Sequence, residues 1–224
     1  MTGVFLQARI DSSRLPGKAL LPLRGKALVL HAMESLKKIP ANVHVILTEE
    51  GSAAALLPLA RTAGFELFVG SKDDVLGRFC AALAAFPVDS LLRATGDNPL
   101  VSWEMATLLL EEHASRGADY SGYYGLPLGC GVEAVRAECL LAAQRESSSP
   151  YDHEHVTPYV YNNPQIFSLH RPLAPACFRS GFSVSVDTQS DFDRVARLFA
   201  DLPEIPVSLE TLMAAIRKQE AASA

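Results

Sequence analysis

The sequence predicts an α/β protein built on a mostly parallel, doubly wound sheet. Three observations carry that expectation. Short β-rich apolar runs alternate with longer helical patterns four times before about Tyr120. Such alternation encodes parallel strands joined by right-handed crossover helices. The breaks between segments hold the residues that start and stop helices. The chain has 224 residues, 49% of them hydrophobic, enough to cover the core of one large domain.

The elements follow in order. "GVFLQA" reads as a first strand, followed by the loop "ARIDSSRLPGK" and a helix through "ALVLHAMESLKKI". "VHVILT" is the second strand, and "SAAALLPLARTAG" a helix that stops at Gly64. "FELFVG" is a short third strand. "DDVLGRFCAALAAF" is a helix whose Asp73 and Asp74 suit the positive end of its dipole. "SLLRATG" is the fourth strand, and "SWEMATLLLEEHASRG" a helix capped by Ser102. After Tyr120 the alternation loosens into a glycine-rich loop, "GYYGLPLGCG", then a strand "VEAVR" and a helix "AECLLAAQRE". "YDHEHVTPYVYNNP" reads as a helix interrupted at Pro158, "IFSLHRP" and "FSVSVDTQ" as strands. Two helices, "SDFDRVARLFADL" and the amphipathic "SLETLMAAIRKQE", finish the pattern as an extension of the same domain.

Charge and cysteine content narrow the function. The formal net charge of -5 argues against nucleic acid as a partner. No apolar run approaches the ~20 residues of a membrane span, and the N-terminus lacks the basic start of a secretory leader. Cys80, Cys130, Cys139 and Cys177 form neither a CxxC nor a Cys/His metal pattern, which suits reduced thiols in the cytoplasm.

Three constellations could carry chemistry. In a doubly wound sheet, ligands bind beyond the carboxyl ends of the strands, so "ARIDSSRLPGK" and "TGDNP" share one edge. Arg9, Arg14 and Lys18 sit in the first loop. Three cations there repel one another unless a polyanion relieves them, and phosphate oxygens suit guanidinium and ammonium donors. A solvated surface loop is the competing reading. Neither GxxxxGK[ST] nor GxGxxG occurs. In "RATGDNP", Asp97 follows a strand and a glycine, placed either for a divalent metal or for an ordinary turn. In "SVDTQSDFD", Asp187 closes a predicted strand and could face the same edge as Asp97, or it or Thr188 could cap the next helix. Two carboxylates on one Mg²⁺ would neutralise a triphosphate. Asp191 and Asp193 spell D-x-D, but the first turn of a helix explains them better. His153 and His155, two apart on a helix, point different ways and suit one metal poorly.

Together the motifs resemble the cytidylyltransferases that activate sugars for surface polysaccharides. "ARIDSSRLPGKALLPLRGKALVLHAMESLK", "GSKDDVLGRF", "RATGDNPLV", "DHEHVTPYVY" and "VSVDTQSDFDRV" occur in that family's order, in the branch of the spore coat polysaccharide biosynthesis protein F. The group includes the CMP-KDO and CMP-acylneuraminate synthetases. The resemblance implies a three-layer α/β/α nucleotide-diphospho-sugar transferase fold and transfer of CMP from CTP with release of pyrophosphate. It makes 1–224 one domain, with a nucleotide-binding half over 1–120 and an acceptor-binding, dimerising half over 121–224.

By matching position, Arg9, Arg14 and Lys18 would cradle the triphosphate. Arg78 would add a cation, and Ala8, Thr95 and Gly96 would line the nucleotide pocket. Asp97 and Asp187 would hold Mg²⁺, with Arg9, Arg14, Lys18 and Asp97 as the catalytic set and Glu133 and His155 near the acceptor. The implied partners are CTP, a sugar-type acceptor and a second copy of the chain, with "HVTPYVYNNP" a candidate interface. Two positions depart from the branch. Asn98 stands where relatives carry Cys or an acid, and Gly131 replaces an acid before the Val-Glu pair. Two alternatives remain, a non-catalytic nucleotide-binding protein on the same fold and a nucleotide-sugar-dependent glycosyltransferase.

Overall fold

Strand β1 (Thr2–Gln7) is apolar on both faces because both faces are covered. Val4 and Leu6 enter one hydrophobic cluster, and Phe5 enters another on the opposite side. In the computed structural model, which describes residues 1–223, a small hairpin follows, β2 (Pro22–Leu23) and β3 (Lys26–Ala27). It leads into α1 (Leu28–Leu36). The chain then runs through β4 (Val43–Thr48), α2 (Glu50–Ala63), β5 (Glu66–Val69), α3 (Val75–Ala85), β6 (Ser90–Thr95) and α4 (Trp103–Arg116). Their boundaries carry the expected chemistry. Gly64 ends α2 at φ 69°, the Asp74 carboxylate accepts from the Gly77 amide at 2.7 Å, and Ser102 Oγ accepts from Met105 N at 3.2 Å.

These four strands are parallel, in the order β5-β4-β1-β6. From β1 the chain steps outward to β4 and β5, then crosses back to set β6 on the other side of β1. The ends of β1 and β6 are therefore the point where successive connections diverge, the crevice that binds ligands in doubly wound sheets. Helices α1, α2 and α4 cover the face of Val4, Leu6, Ile46 and Leu92. Helix α3 covers the face of Phe5, Val45 and Leu91.

The second half completes the sheet differently from the sequence expectation. Three strands follow, β7 (Tyr120–Gly122), β8 (Glu133–Arg136) and β9 (Leu169–His170), giving the full order β5-β4-β1-β6-β8-β7-β9. β8 is antiparallel to both β6 and β7, and β9 pairs parallel with β7. The chain just before the expected glycine-rich loop, up to its first residue Gly122, is thus a strand, and "IFSLHRP" contracts to two paired residues. The interrupted helix is two helices, α6 (Pro150–His155) and α7 (Pro158–Asn162), which pack with α5 (Ala137–Glu146) beside α3. Helices on both faces make the architecture three-layered.

The expected strand "FSVSVDTQ" is not one. It crosses the mouth of the sheet and bonds to loops, with one bridge between Ser183 and Leu128. The Val184 amide donates to Leu128 O and the Val186 amide to Asp97 O, at 2.7 and 2.9 Å. Its alternating pattern is real but serves another purpose. Val184 and Val186 are buried in a third cluster built by α8 (Gln189–Asp201) and α9 (Leu209–Ser223) with Leu100 and Cys130. Among the described residues no helix is long and apolar enough to cross a membrane.

Candidate active site

The loop after β1 is pinned at both ends. The Ala8 amide donates to Leu47 O, and the Ile10 amide donates to Ser52 Oγ at 2.9 Å. The Ser52 hydroxyl in turn donates to the buried Glu49 carboxylate. At the far end the Gly17 amide closes back on Ile10 O at 3.0 Å, with Gly17 at φ 71°. A β-carbon is strained at that angle, so the turn requires glycine. Lys18 follows at the start of a short 3₁₀ turn, Lys18–Leu20.

This turn points Lys18 at two carboxylates from distant segments. Its ammonium donates to Asp97 Oδ2 at 3.0 Å, to Asp187 Oδ1 at 2.8 Å and to Val186 O at 2.9 Å. The Lys18 side chain is only 14% exposed. Arg14 meets the same Asp187 oxygen at 2.9 Å from a more open position. The Thr95 hydroxyl donates to Asp97 Oδ1 at 2.6 Å and accepts from Asn98 Nδ2 at 2.8 Å. Gly96 allows the two strand ends to come this close. A β-carbon there would sit 2.7 Å from Ala8 Cβ and 3.2 Å from Val29 Cγ2.

The structure thus brings Arg14, Lys18, Thr95, Gly96, Asp97 and Asp187 to one point at the switch of strand order, with Ala8 beneath it. Arg9 and Arg78 form a second group of cations. Arg9 is exposed. Arg78 is buried, donates from Nη1 to Ser71 O at 2.6 Å and has no partner at Nε. Burial first, and the Arg9 charge second, push its pKa down. A buried cation without a carboxylate partner favours an anion arriving beside it.

The donor set fits a divalent cation. One oxygen from each of Asp97 and Asp187 already meets a single positive group, the Lys18 ammonium. Among the described residues no cluster of three or more His, Cys, Asp or Glu could form a closed metal cage. Two carboxylates, with phosphate oxygens and water completing the shell, match the way Mg²⁺ is usually held. Asp191 is otherwise occupied. Although burial opposes it, Thr188 and Arg194 hydrogen bonds hold its carboxyl down to about 2. There it closes a capping box on α8.

Beside Thr95 and Asn98 lies a cavity of about 320 Å³. Glu133 lines it but is already engaged, accepting from Arg93 Nη1 at 2.5 Å, from the Tyr120 hydroxyl at 2.6 Å and from Thr157 Oγ1 at 2.8 Å. Burial, then the Glu133 charge, push the Tyr120 pKa up, so the phenol stays a donor. Asn98 Oδ1 is a buried acceptor without a protein partner at this wall. His155 is not among the residues lining the cavity; it is exposed, its ring centroid 4.3 Å from that of Tyr151. Sequence reasoning missed Arg93, Tyr120, Thr157 and Arg171, all but Thr157 lining the cavity. A signal existed for Arg93. An arginine inside the apolar run "SLLRAT" needs a buried partner, here Glu133 opposite it on β8.

The family model described as cytidylyltransferase matches residues 4–221. The chain belongs to the cytidylyltransferase family. The spore coat polysaccharide biosynthesis protein SpsF of Bacillus subtilis (strain 168) is 30% identical over 210 residues, spanning 90% of this chain and 88% of its own length. A cytidylyltransferase from Leptospira borgpetersenii superposes with a TM-score of 0.91 at 24% identity, covering 98% of this chain and 95% of that one. A CMP:2-keto-3-deoxy-manno-octonic acid synthetase complexed with CTP gives a TM-score of 0.68 at 17% identity, covering 89% of this chain and 98% of that one. These two solved structures share the fold of this cytidylyltransferase.

Proposed function

We propose that this cytidylyltransferase transfers CMP from CTP to a sugar acid or a phosphorylated sugar or polyol used for surface polysaccharide, releasing pyrophosphate. The observation that carries this reading is the meeting of Lys18, Arg14, Asp97 and Asp187 at the switch point. The acceptor's oxygen attacks the α-phosphorus, and the bond to the bridging oxygen breaks on the opposite side. An attacking sugar hydroxyl loses its proton to solvent, whereas an attacking phosphate oxygen is already anionic. No covalent enzyme intermediate is needed, so catalysis consists of placement and charge stabilisation.

Arg9, Arg14 and Lys18 cradle the triphosphate and stabilise the departing pyrophosphate, and Arg78 supplies a further cation from below. Ala8, Thr95 and Gly96 form the nucleotide wall, where Thr95 also fixes the Asp97 carboxylate. Asp97 and Asp187 hold Mg²⁺, which when bound neutralises charge on the phosphate oxygens. The cavity lined by Glu133 takes the acceptor, and the unpartnered Asn98 Oδ1 suits one of its hydroxyl groups. In this reading the chain is one domain in which 1–120 carries most nucleotide contacts and 121–224 most acceptor and dimer contacts. It works as a homodimer in the cytoplasm, where its four unpaired cysteines would stay reduced.

The test is to mix the protein with Mg²⁺, acceptor candidates and each of the four nucleoside triphosphates in turn. Pyrophosphate release with CTP and an acceptor is expected. Binding of CTP without release would leave a non-catalytic nucleotide-binding protein. Sugar transfer from a nucleotide-sugar donor would make it a glycosyltransferase.

A further inference from the structure

The two arginines of the 320 Å³ cavity have opposite fates. Arg93 is consumed within the protein, since Nη1 pairs with Glu133 and Nε donates to Gln7 Oε1 at 3.1 Å. Glu133 is equally consumed by its three donors, so this pair presents no net charge to a ligand. Arg171 is different. Among the described residues no carboxylate pairs with it, and its neighbours are aromatic faces. Its guanidinium carbon lies 4.4 Å from the Tyr124 ring centroid and 5.2 Å from that of Tyr161. Stacking holds the guanidinium plane while leaving its N–H edge available. The backbone beneath it is fixed, because Arg171 follows β9 directly and the adjacent His170 Nε2 lies 2.8 Å from Glu112 Oε2.

We infer that Arg171 reads a planar or tetrahedral oxyanion, a carboxylate or a phosphate, on the acceptor and so determines which acceptors this enzyme takes. A guanidinium edge meets either group through two parallel hydrogen bonds. Calling the ligand an acceptor rests on the transfer reading above. That the ligand is an anion rests instead on the guanidinium edge left unpaired between Tyr124 and Tyr161.

The experiment keeps the two separable. Pyrophosphate release is measured with CTP, Mg²⁺ and three probes: 3-deoxy-manno-octulosonate, its methyl ester and glucose 1-phosphate. We expect the acid or the phosphate, according to which anion is read, to show a KM about ten-fold or more below that of the ester, the scale of one charge-assisted contact. Arg171→Met keeps an apolar stem on the tyrosines. It should raise the KM of the preferred anion about ten-fold or more, leave kcat and the KM for CTP nearly unchanged and leave the ester unaffected, with Arg171→Lys recovering part of the loss. Equal KM values for anions and ester, or a loss confined to kcat, overturn the inference. Should no probe release pyrophosphate, the transfer reading fails by itself. Calorimetric titration of the same probes then decides the anion reading. Anion binding that vanishes in Arg171→Met upholds it, and binding that is absent or indifferent to the substitution overturns it.

Discussion

Lys18 ties more of the candidate site together than any other single side chain. One ammonium satisfies two carboxylates and a carbonyl from segments 79 and about 169 residues away. Lys18→Ala should lower turnover about 100-fold or more, the usual scale for losing one preorganised charge-stabilising donor, while the far-ultraviolet spectrum stays native. Steady-state pyrophosphate assays check this, and a variant with normal turnover would remove Lys18 from the mechanism. Gly96→Ala is expected to act on stability as well. Its new methyl group overlaps Ala8 Cβ, and overpacking of that kind costs about 1–3 kcal/mol in urea denaturation. At this scale the sequence was informative where charge stood out against a turn. Arg14, Lys18, Asp97 and Asp187 are charged residues in Gly-, Ser- or Thr-marked breaks, and the structure gathers them. Arg171 was illegible because its role comes from Tyr124 and Tyr161, one far upstream beyond β7 and one on α7. Nothing near "RPLAP" announces them.

Among the elements, α3 and α6 are joined by a pair that should respond to pH. His153 Nδ1 lies 2.8 Å from Asp74 Oδ1 and its Nε2 lies 3.0 Å from Ser147 O. The Ser147 carbonyl, then Asp74, raise the His153 pKa above its usual 6.5. Burial opposes the fall at Asp74, but the Gly77 amide, His153 and Gln144 hold its carboxyl below the usual 3.8. A raised histidine contributes stability that is complete below pH 6.5 and is lost as pH climbs through the folded-state value. A lowered aspartate contributes stability present above pH 3.8 and lost as pH falls through its depressed value. The clamp is therefore complete between those limits. Because the pair is partly solvated, its worth is about 0.2–1 kcal/mol. Burial lowers the pKa values of His31, His44 and His113, which favours the folded state as pH rises in both wild type and His153→Gln. The readout is therefore the difference between the two proteins. Chemical denaturation should show wild type exceeding His153→Gln by about 0.2–1 kcal/mol more at pH 5.5 than at pH 8.5. Equal pH dependence in both would assign the clamp elsewhere. Elements were legible in proportion to local signals. Caps at Asp74 and Ser102 and the stop at Gly64 mark the first half. β7 and β9 pair only two or three residues with distant partners, too few for any periodicity, and Val184 and Val186 alternate like a strand although helices bury them.

Over the whole molecule, the doubly wound order was legible because four successive β–α units leave few allowed topologies, whereas the antiparallel insertion of β8 depends on long-range pairing that no local pattern encodes. That topology has a thermodynamic consequence. The switch point joins the loop after β1, the end of β6 and the segment before α8, and the last of these is part of the cluster built by α8 and α9. A ligand spanning Lys18, Asp97 and Asp187 therefore binds only when the first and last thirds of the chain are both in place, and it must stabilise the folded state as a unit. At a concentration 100 times its Kd, a ligand adds about 2.7 kcal/mol. For a protein of this size that corresponds to a rise of roughly 5–10 °C in Tm. We expect scanning fluorimetry to show such a rise with CTP and Mg²⁺, a smaller one with ATP and Mg²⁺, and almost none with CTP in Asp187→Asn. Asp187 lies outside the first half, so losing the shift in that variant would place the nucleotide across both halves. A full shift in Asp187→Asn would confine the nucleotide to the first half and break the link between the C-terminal helices and the site.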